Sequence, residues 1–520
     1  MRSRARTVGP TIARAAVVAA LAAGAGLVGG CTGQAGSTND GGAGGAVTGR
    51  GGASGGGAGV GGNAGTSGNA GTSAGRGGGS AAGGNAGAAG SSGGAGAGGG
   101  GGRGGGAGAG GSGGRGGGAG AGGSGGNGGS AQCVPTLPAL PWTSPYAAWS
   151  RGVPTDPAFF PIAVWLQGSW HASEMEGLGV NVYIGNNAGT DMLAAADLAT
   201  LKSHGIYAIV GQDSVGLANI DDRTIVGWWM TPDEPDNAQD DGMGGLGPPV
   251  APATLVTRYN SYKAADPTRP IYLGLGQGVA YDGWEGRGSN APPESQYVPA
   301  ADIIAFDIYP YNNCGGDANV KVTCGQFWLN AFGVDRLHTW SNRNQAVWTD
   351  FETTIIAAGS TSGPTPAQVR SEVWLALIHG ANGVTYFLDT WNPSFREDGI
   401  FASTTMVNAV TALNAQIKSL APVLNSANVP GVVTVTSSNS AAPVEILAKA
   451  RGQVLYVFAA IARAGTATAT FHVAGLNGRA TATVIGESRS VDVTGGGFSD
   501  DFAANGVHLY QIDLGAVTCP

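Results

Sequence analysis

Eight short, mostly apolar runs recur between positions 160 and 388. They are Phe160–Leu166, Val180–Ile184, Ile206–Val210, Ile225–Met230, Ile271–Leu275, Ile303–Tyr309, Ala346–Phe351 and Gly383–Leu388. A strand with one wet face alternates apolar and polar residues. A run that is mostly apolar is covered on both faces, as in a parallel sheet packed by helices. Helical patterns separate several of the runs. One covers Met192–Ser203 and ends at Gly205, a residue suited to the left-handed position after a helix. Another opens at Thr365-Pro366-Ala367-Gln368, with Thr as N-cap, Pro in the first turn and Gln placed to close a capping box. Eight strand-then-helix units in about 270 residues suit an α/β fold of the (β/α)8 TIM barrel type, over residues 133–425. After Asn425 the pattern changes. Val432–Val435, Val444–Ala448, Val454–Ala459, Thr466–His472, Ala480–Ile485 and Val507–Ile512 are short, strand-like and separated by turn residues. They predict a small antiparallel β-sandwich over 426–520.

The chain before the barrel is a different material. Of 97 glycines, 52 fall between Cys31 and Ser130, among Ala, Ser, Thr and Asn. Such a segment buries too little apolar surface to offset its ordering entropy, so residues 31–132 are expected to form a disordered tether. Residues 1–30 read as an export signal: Arg2, Arg4, Arg6 and Arg14 precede the apolar Ala15–Val28. The run Leu27-Val28-Gly29-Gly30-Cys31 resembles the lipobox of bacterial lipoproteins, which implies lipidation at Cys31 and an outer-membrane or cell-surface location. Plain secretion is the alternative. Membrane contact is expected only through that lipid, since no later apolar run reaches the ~18 residues of a bilayer span. Removing Cys31 leaves four cysteines in an exported protein, where disulfides persist. Cys314 and Cys324 stand ten apart in one loop and are paired. Cys133 and Cys519 then clasp the ends of the folded region. Net charge is −8, with 12% charged residues and no basic patch, which argues against a nucleic-acid partner.

In a barrel of this kind chemistry sits where the strands end. The residues that follow the runs include Gln167, Trp170 and His171; Asn186 and Asn187; Gln212 and Asp213; Asp233, Glu234 and Asp236; Asp307, Tyr309 and Tyr311; Asp350 and Glu352; and Asp389 and Trp391. This mouth is acidic, aromatic and rich in amides. Sugar C–H faces stack on rings and sugar hydroxyls need amide and carboxylate partners, so a poly- or oligosaccharide is the expected ligand. Glycosidic cleavage needs two carboxyl groups, one protonated and one ionised. Glu234 after the fourth run and Glu352 at the end of the seventh fit that need. Residues 155–425 thereby resemble the large clan of retaining glycoside hydrolases on (β/α)8 barrels, which often carry a trailing β-sandwich. The resemblance implies Glu234 as acid/base, Glu352 as nucleophile and Tyr309 as the nucleophile's partner. The expected activity is cleavage of a β-linked glycan with retention. The clan commonly has Asn before the acid/base, where this chain has Asp233, and Asp350 occupies the slot before the aromatic Phe351. Positions 350 and 352 share one strand face, so both are candidates for the nucleophile; Glu352, nearer the strand end, is assigned. Asn186, Gln212, Asp233, Tyr309, Asp350 and Trp391 are assigned to substrate, with Trp391 as the sugar platform. Of the adjacent Trp228 and Trp229, one should face the barrel and one the helices. The six histidines are scattered, with no HxH or HExxH motif, and no GxSxG elbow appears in the folded part, so no metal or cofactor is called for. The chain is expected to act as a monomer. A non-catalytic carbohydrate-binding or structural surface lipoprotein on a degenerate barrel is the alternative.

Overall fold

The computed structural model describes residues 133–520, apart from 139, 187–192, 244, 317 and 358. The expected export signal, Cys31, the tether and Asn187 lie outside the described residues.

Eight parallel strands close into a barrel in sequence order: β1 (Ile162–Trp165), β2 (Val182–Ile184), β3 (Tyr207–Gly211), β4 (Ile225–Trp229), β5 (Ile271–Leu275), β6 (Ile303–Phe306), β7 (Ala346–Glu352) and β8 (Gly383–Phe387). Strand β8 pairs back onto β1, with Ala163 opposite Thr385. Successive side chains alternate between two dry compartments. Trp165, Trp229, Tyr272, Trp348 and Phe387 fill the interior around the small Ala163, Ala305 and Ala346. Val164, Trp228, Leu273, Phe306, Phe351 and Tyr386 face the helix layer. The two compartments explain the mostly apolar runs and separate Trp228 from Trp229 as expected.

The helices are α1 (Ala172–Leu178), α2 (Ala195–Ser203), α3 (Ser214–Ala218), α4 (Pro252–Ala265), α5 (Ala318–Lys321), α6 (Leu329–Trp340), α7 (Pro366–Ile378) and α8 (Thr404–Leu424). The strict strand-then-helix alternation fails once. Between β5 and β6 the chain makes only short 3-10 turns, from Gln277–Val279 to Val298–Ala300. From Gly276 to Asp302 there are five glycines and three prolines, residues that disfavour a helix interior. Below the barrel, Tyr146 closes the interior. Its hydroxyl accepts from Trp348 Nε1 and donates to the Asn382 carbonyl, both at 2.8 Å.

The C-terminal region is an eight-stranded antiparallel sheet: β9 (Val433–Ser437), β10 (Val444–Arg451), β11 (Val454–Ile461), β12 (Ala467–Val473), β13 (Arg479–Val484), β14 (Arg489–Thr494), β15 (Gly497–Phe502) and β16 (Val507–Asp513). The strand order is β10-β11-β16-β13-β14-β15-β12-β9. It folds over its own core of Leu455, Val457, Phe471, Val493, Phe498, Tyr510 and Ile512. Six strands were expected; β14 and β15 are the additional pair. The other face of β11 carries Phe458 and Ala460 onto the barrel's outer helices, where Trp374 of α7 meets Phe458 at 5.3 Å between ring centroids. Both expected disulfides are formed, Cys133–Cys519 and Cys314–Cys324. Among the described residues no helix is long and apolar enough to cross a membrane.

Candidate active site

The acidic residues at the strand ends divide into groups with different surroundings. The first group lies over β4, β5, β6 and β7. The loop after β4 carries Asp233 and Glu234, and Glu234 adopts φ +42°. A non-glycine residue with positive φ is strained, and such strain persists where neighbours over-determine it. Here the neighbours are plain: the Glu234 carbonyl accepts from Asn237 N at 3.0 Å, Val250 N reaches the Pro235 carbonyl at 2.8 Å, and Arg258 reaches the Thr231 carbonyl. Strand β5 makes room for this loop with glycine. A Cβ on Gly274 would stand 3.0 Å from Asp233 Oδ1, and the Gly276 N–H binds the buried Asp236 at 3.0 Å.

Asp307 follows β6 and bridges in parallel register to Asp350 of β7. Asp233, Glu234 and Asp307 keep partial access to solvent, while Asp350 is 7% exposed. Burial and mutual repulsion hold protons on this set. The Glu234 carboxyl is pushed well up by burial, by the charge of Asp307 and a proton shared with it, and by Asp236. Asp350 is pushed up by burial and by the charges of Asp233 and Glu234. Asp307 is raised to about 8, by burial first and by Asp350 and Asp233 among its neighbours. Like charges this close cannot all ionise together. Tyr272 and Tyr309 complete the wall; both phenols are raised by burial and by these same carboxyls. Asp350 Oδ1 and the indole nitrogens of Trp229 and Trp391 are buried with no hydrogen-bond partner among the described residues.

Glu352 belongs elsewhere. It is fully buried, and its oxygens accept from Tyr311 N at 2.6 Å, Asn312 N at 2.7 Å and Asn312 Nδ2 at 2.6 Å. Asn312 also binds the Thr354 carbonyl and the Ile356 N–H, so the loop after β6 is fastened to the chain after β7. Burial raises the Glu352 carboxyl to about 7 against the pull of those three donors. The carboxyl that feels its charge is Glu372, on α7. The structure thus brings Asp350, and not Glu352, to the group around Glu234.

The other expected ligand-binding positions also separate. Tyr309 stands in the acidic group, its ring 5.4 Å from that of Phe387. Trp391 lies at the mouth but is only 7% exposed, stacked on Phe387 at 16° and touching Phe395. The exposed rings of the rim are Trp170 at 61% and Phe395 at 41%. Gln212 turns away: its Nε2 donates to the Tyr262 carbonyl on α4 at 3.1 Å. Asp213 caps α3 through Val215 N and Gly216 N. Asn186 follows β2 beside residues outside the described set. A further polar group, over β8 and β1, joins Gln167 to Asp389 at 2.8 Å and His171 to Glu397 at 3.0 Å. Sequence reasoning passed over Tyr272, Asn237 and Glu397. For Tyr272 a signal existed, since Tyr272 and Gly274 alternate on the inward face of β5.

The fold and this mouth define a (β/α)8 barrel with an acidic, aromatic cleft at the strand ends. No protein-family model matches the chain, and no curated protein matches it. Among solved structures it is similar to a GH30 endoxylanase from Clostridium papyrosolvens C71, at 10% identity over 72% of this chain and 98% of that chain, with a TM-score of 0.37. It is also similar to the family 30 subfamily 8 xylanase Xyn30A from Clostridium acetobutylicum, at 13% identity over 68% and 95%, with a TM-score of 0.36. A noncanonic maltogenic α-amylase, AmyB from Thermotoga neapolitana, gives 9% identity over 69% and 99%, with a TM-score of 0.37. These neighbours are glycoside hydrolases, at an identity where likeness concerns fold alone.

Proposed function

We propose that the protein is a glycoside hydrolase that cleaves a β-linked glycan with retention, using Glu234 as acid/base and Asp350 as nucleophile. The observation that carries this reading is the grouping of Glu234, Asp307 and Asp350 over β4, β6 and β7 in an aromatic-walled mouth. In the first step Asp350, ionised while Glu234 and Asp307 keep the protons of the group, bonds through a carboxylate oxygen to the anomeric carbon while the glycosidic C–O bond breaks. Glu234 gives its proton to the departing oxygen. In the second step water attacks the same carbon, Glu234 takes its proton and the Asp350–sugar ester breaks. Asp307 shares the Glu234 proton in the resting site. Glu352 acts through the loop it fastens and is a positioning residue. Export, lipidation at Cys31 and action as a tethered monomer at the cell surface belong to the same proposal; the N-terminal sequence supports the export and the anchor.

The test is a comparison of three variants on an activated aryl glycoside. Asp350→Asn should abolish turnover. Glu234→Gln should retain more of the first step, because a good leaving group departs without an acid, and azide should rescue the second. Glu352→Gln should retain catalysis in proportion to the folded protein present. The product anomer, followed by NMR, reports retention. A silent Asp350→Asn beside an inactive Glu352→Gln returns the nucleophile to Glu352. The binding-protein reading draws on one observation, that the carboxylate expected as nucleophile is occupied by three N–H donors. Glycan binding with no hydrolysis by the unmodified protein would establish it.

A further inference from the structure

One amide in the loop after β4 is oriented from outside the acidic group. Asn237 is 3% exposed. Its backbone N–H closes a turn onto the Glu234 carbonyl at 3.0 Å, so both side chains leave the same turn. Trp284 Nε1 lies 2.8 Å from the Asn237 side chain. An indole N–H only donates, so it must face the amide oxygen. That fixes Oδ1 toward Trp284 and leaves Nδ2 on the opposite side. The amide lies against Gly276, where a Cβ would come within 2.6 Å of Nδ2. Gln239 Nε2 donates to the Asn237 carbonyl at 2.8 Å and to the Glu234 carbonyl at 3.2 Å, which holds the turn from the other side. The amide therefore cannot swing freely. Nδ2 is buried with no partner of hydrogen-bond geometry among the described residues. The carboxyl beside it is Glu234, whose charged form Asn237 favours against burial, Asp307 and Asp236.

We propose that Asn237, oriented by Trp284, is a positioning residue whose amide N–H holds the Glu234 carboxylate while that group acts as base. The inference rests on the glycosidase reading for its catalytic meaning. After the first step Glu234 has lost its proton and lies buried among other carboxyls. An N–H donor strengthens when its acceptor becomes charged, so Nδ2 gains its partner at the point in the cycle where the carboxylate must wait for water. The protonated form gains less, and the bond therefore acts on one state more than the other.

Trp284→Phe keeps the ring and removes only the donor that sets the amide. Asn237→Ala removes the amide itself. With the full chain labelled at its glutamate carboxyl carbons, NMR titration reads Glu234 directly, and Glu234→Gln identifies its resonance. Asn237→Ala should raise the Glu234 midpoint by about one unit, a tenfold change, and Trp284→Phe by about half of that. On an aryl glycoside with rapid first step, kcat should fall in the same order while KM changes little. An unchanged Glu234 midpoint in Trp284→Phe, with the melting temperature retained, overturns the proposal, and that variant decides alone should Asn237→Ala fail to fold. Absence of hydrolysis by the unmodified protein would refute the glycosidase reading, whereas the titration would still decide whether Asn237 holds Glu234.

Discussion

At Glu352 the count of donors supports the positioning role proposed for it. A carboxylate facing three N–H groups is satisfied only while it offers acceptors alone. In Glu352→Gln one end becomes a donor and meets another donor. The expected cost is about 2 kcal/mol, read as a fall of several degrees in melting temperature. Asp350→Asn should not lower it, because Asp350 Oδ1 has no partner to lose and the change takes one member out of a group that cannot all ionise together. The sequence offered only nearness to the strand end to choose between these residues, since positions 350 and 352 share a strand face. The distinction comes from backbone amides of Tyr311 and Asn312, donors that every residue but proline carries. Gln212 illustrates the same limit, since its partner is a carbonyl on α4. The inward and outward tryptophans, and the cysteine pairs, were legible because alternation and pair counting carry enough information.

Helix α7 shows why an element can read clearly while its surroundings do not. Its start was legible from Thr365 and Gln368, and Gln368 Oε1 does accept from Thr365 N at 2.7 Å. Its run Val373–Ile378 is buried throughout, beyond what one apolar face requires, because β11 covers the side away from the barrel. Trp374→Ala at that seam should cost about 3–5 kcal/mol. Calorimetry should then resolve barrel and sandwich as separate transitions where the unmodified protein gives one. Strands β14 and β15 escaped sequence reading for a complementary reason. Arg489–Thr494 offers only Val491 and Val493 as apolar residues, and in Gly497–Phe502 the two buried phenylalanines stand four apart with polar Ser499, Asp500 and Asp501 between them, which breaks the alternation. The Gly495-Gly496 turn between them, at φ +57° and +78°, was the available hairpin signal.

Across the whole molecule, the ionisable groups that join its parts favour acid over alkali. His379, at the end of α7, binds Asp335 of α6 at 2.8 Å and Glu445 of β10 at 2.5 Å. Burial alone would lower its pKa, but the two carboxylates raise it to about 9. A raised histidine stabilises fully below its unfolded value near 6.5, and that contribution is lost as pH rises through 9. Glu352, raised to about 7, and Asp307, raised to about 8, have the same sign, since each holds its proton longer folded than unfolded. Melting temperature should therefore fall from mildly acidic pH toward pH 9, and His379→Gln should flatten the part of that decline between about 6.5 and 9. For the proposed anchor, Cys31→Ala should move the protein from the membrane fraction to the soluble export fraction; unchanged membrane association would reject lipidation there. The Cys133–Cys519 clasp then acquires a mechanical meaning. Tension arriving along the chain before residue 133 reaches a covalent bond to residue 519 instead of the first barrel strand. Thr518 is itself laced to Arg479 of β13 through paired backbone bonds of 2.8 and 2.9 Å. A pull on the proposed tether would thus be borne first by the sandwich and not by the first barrel strand.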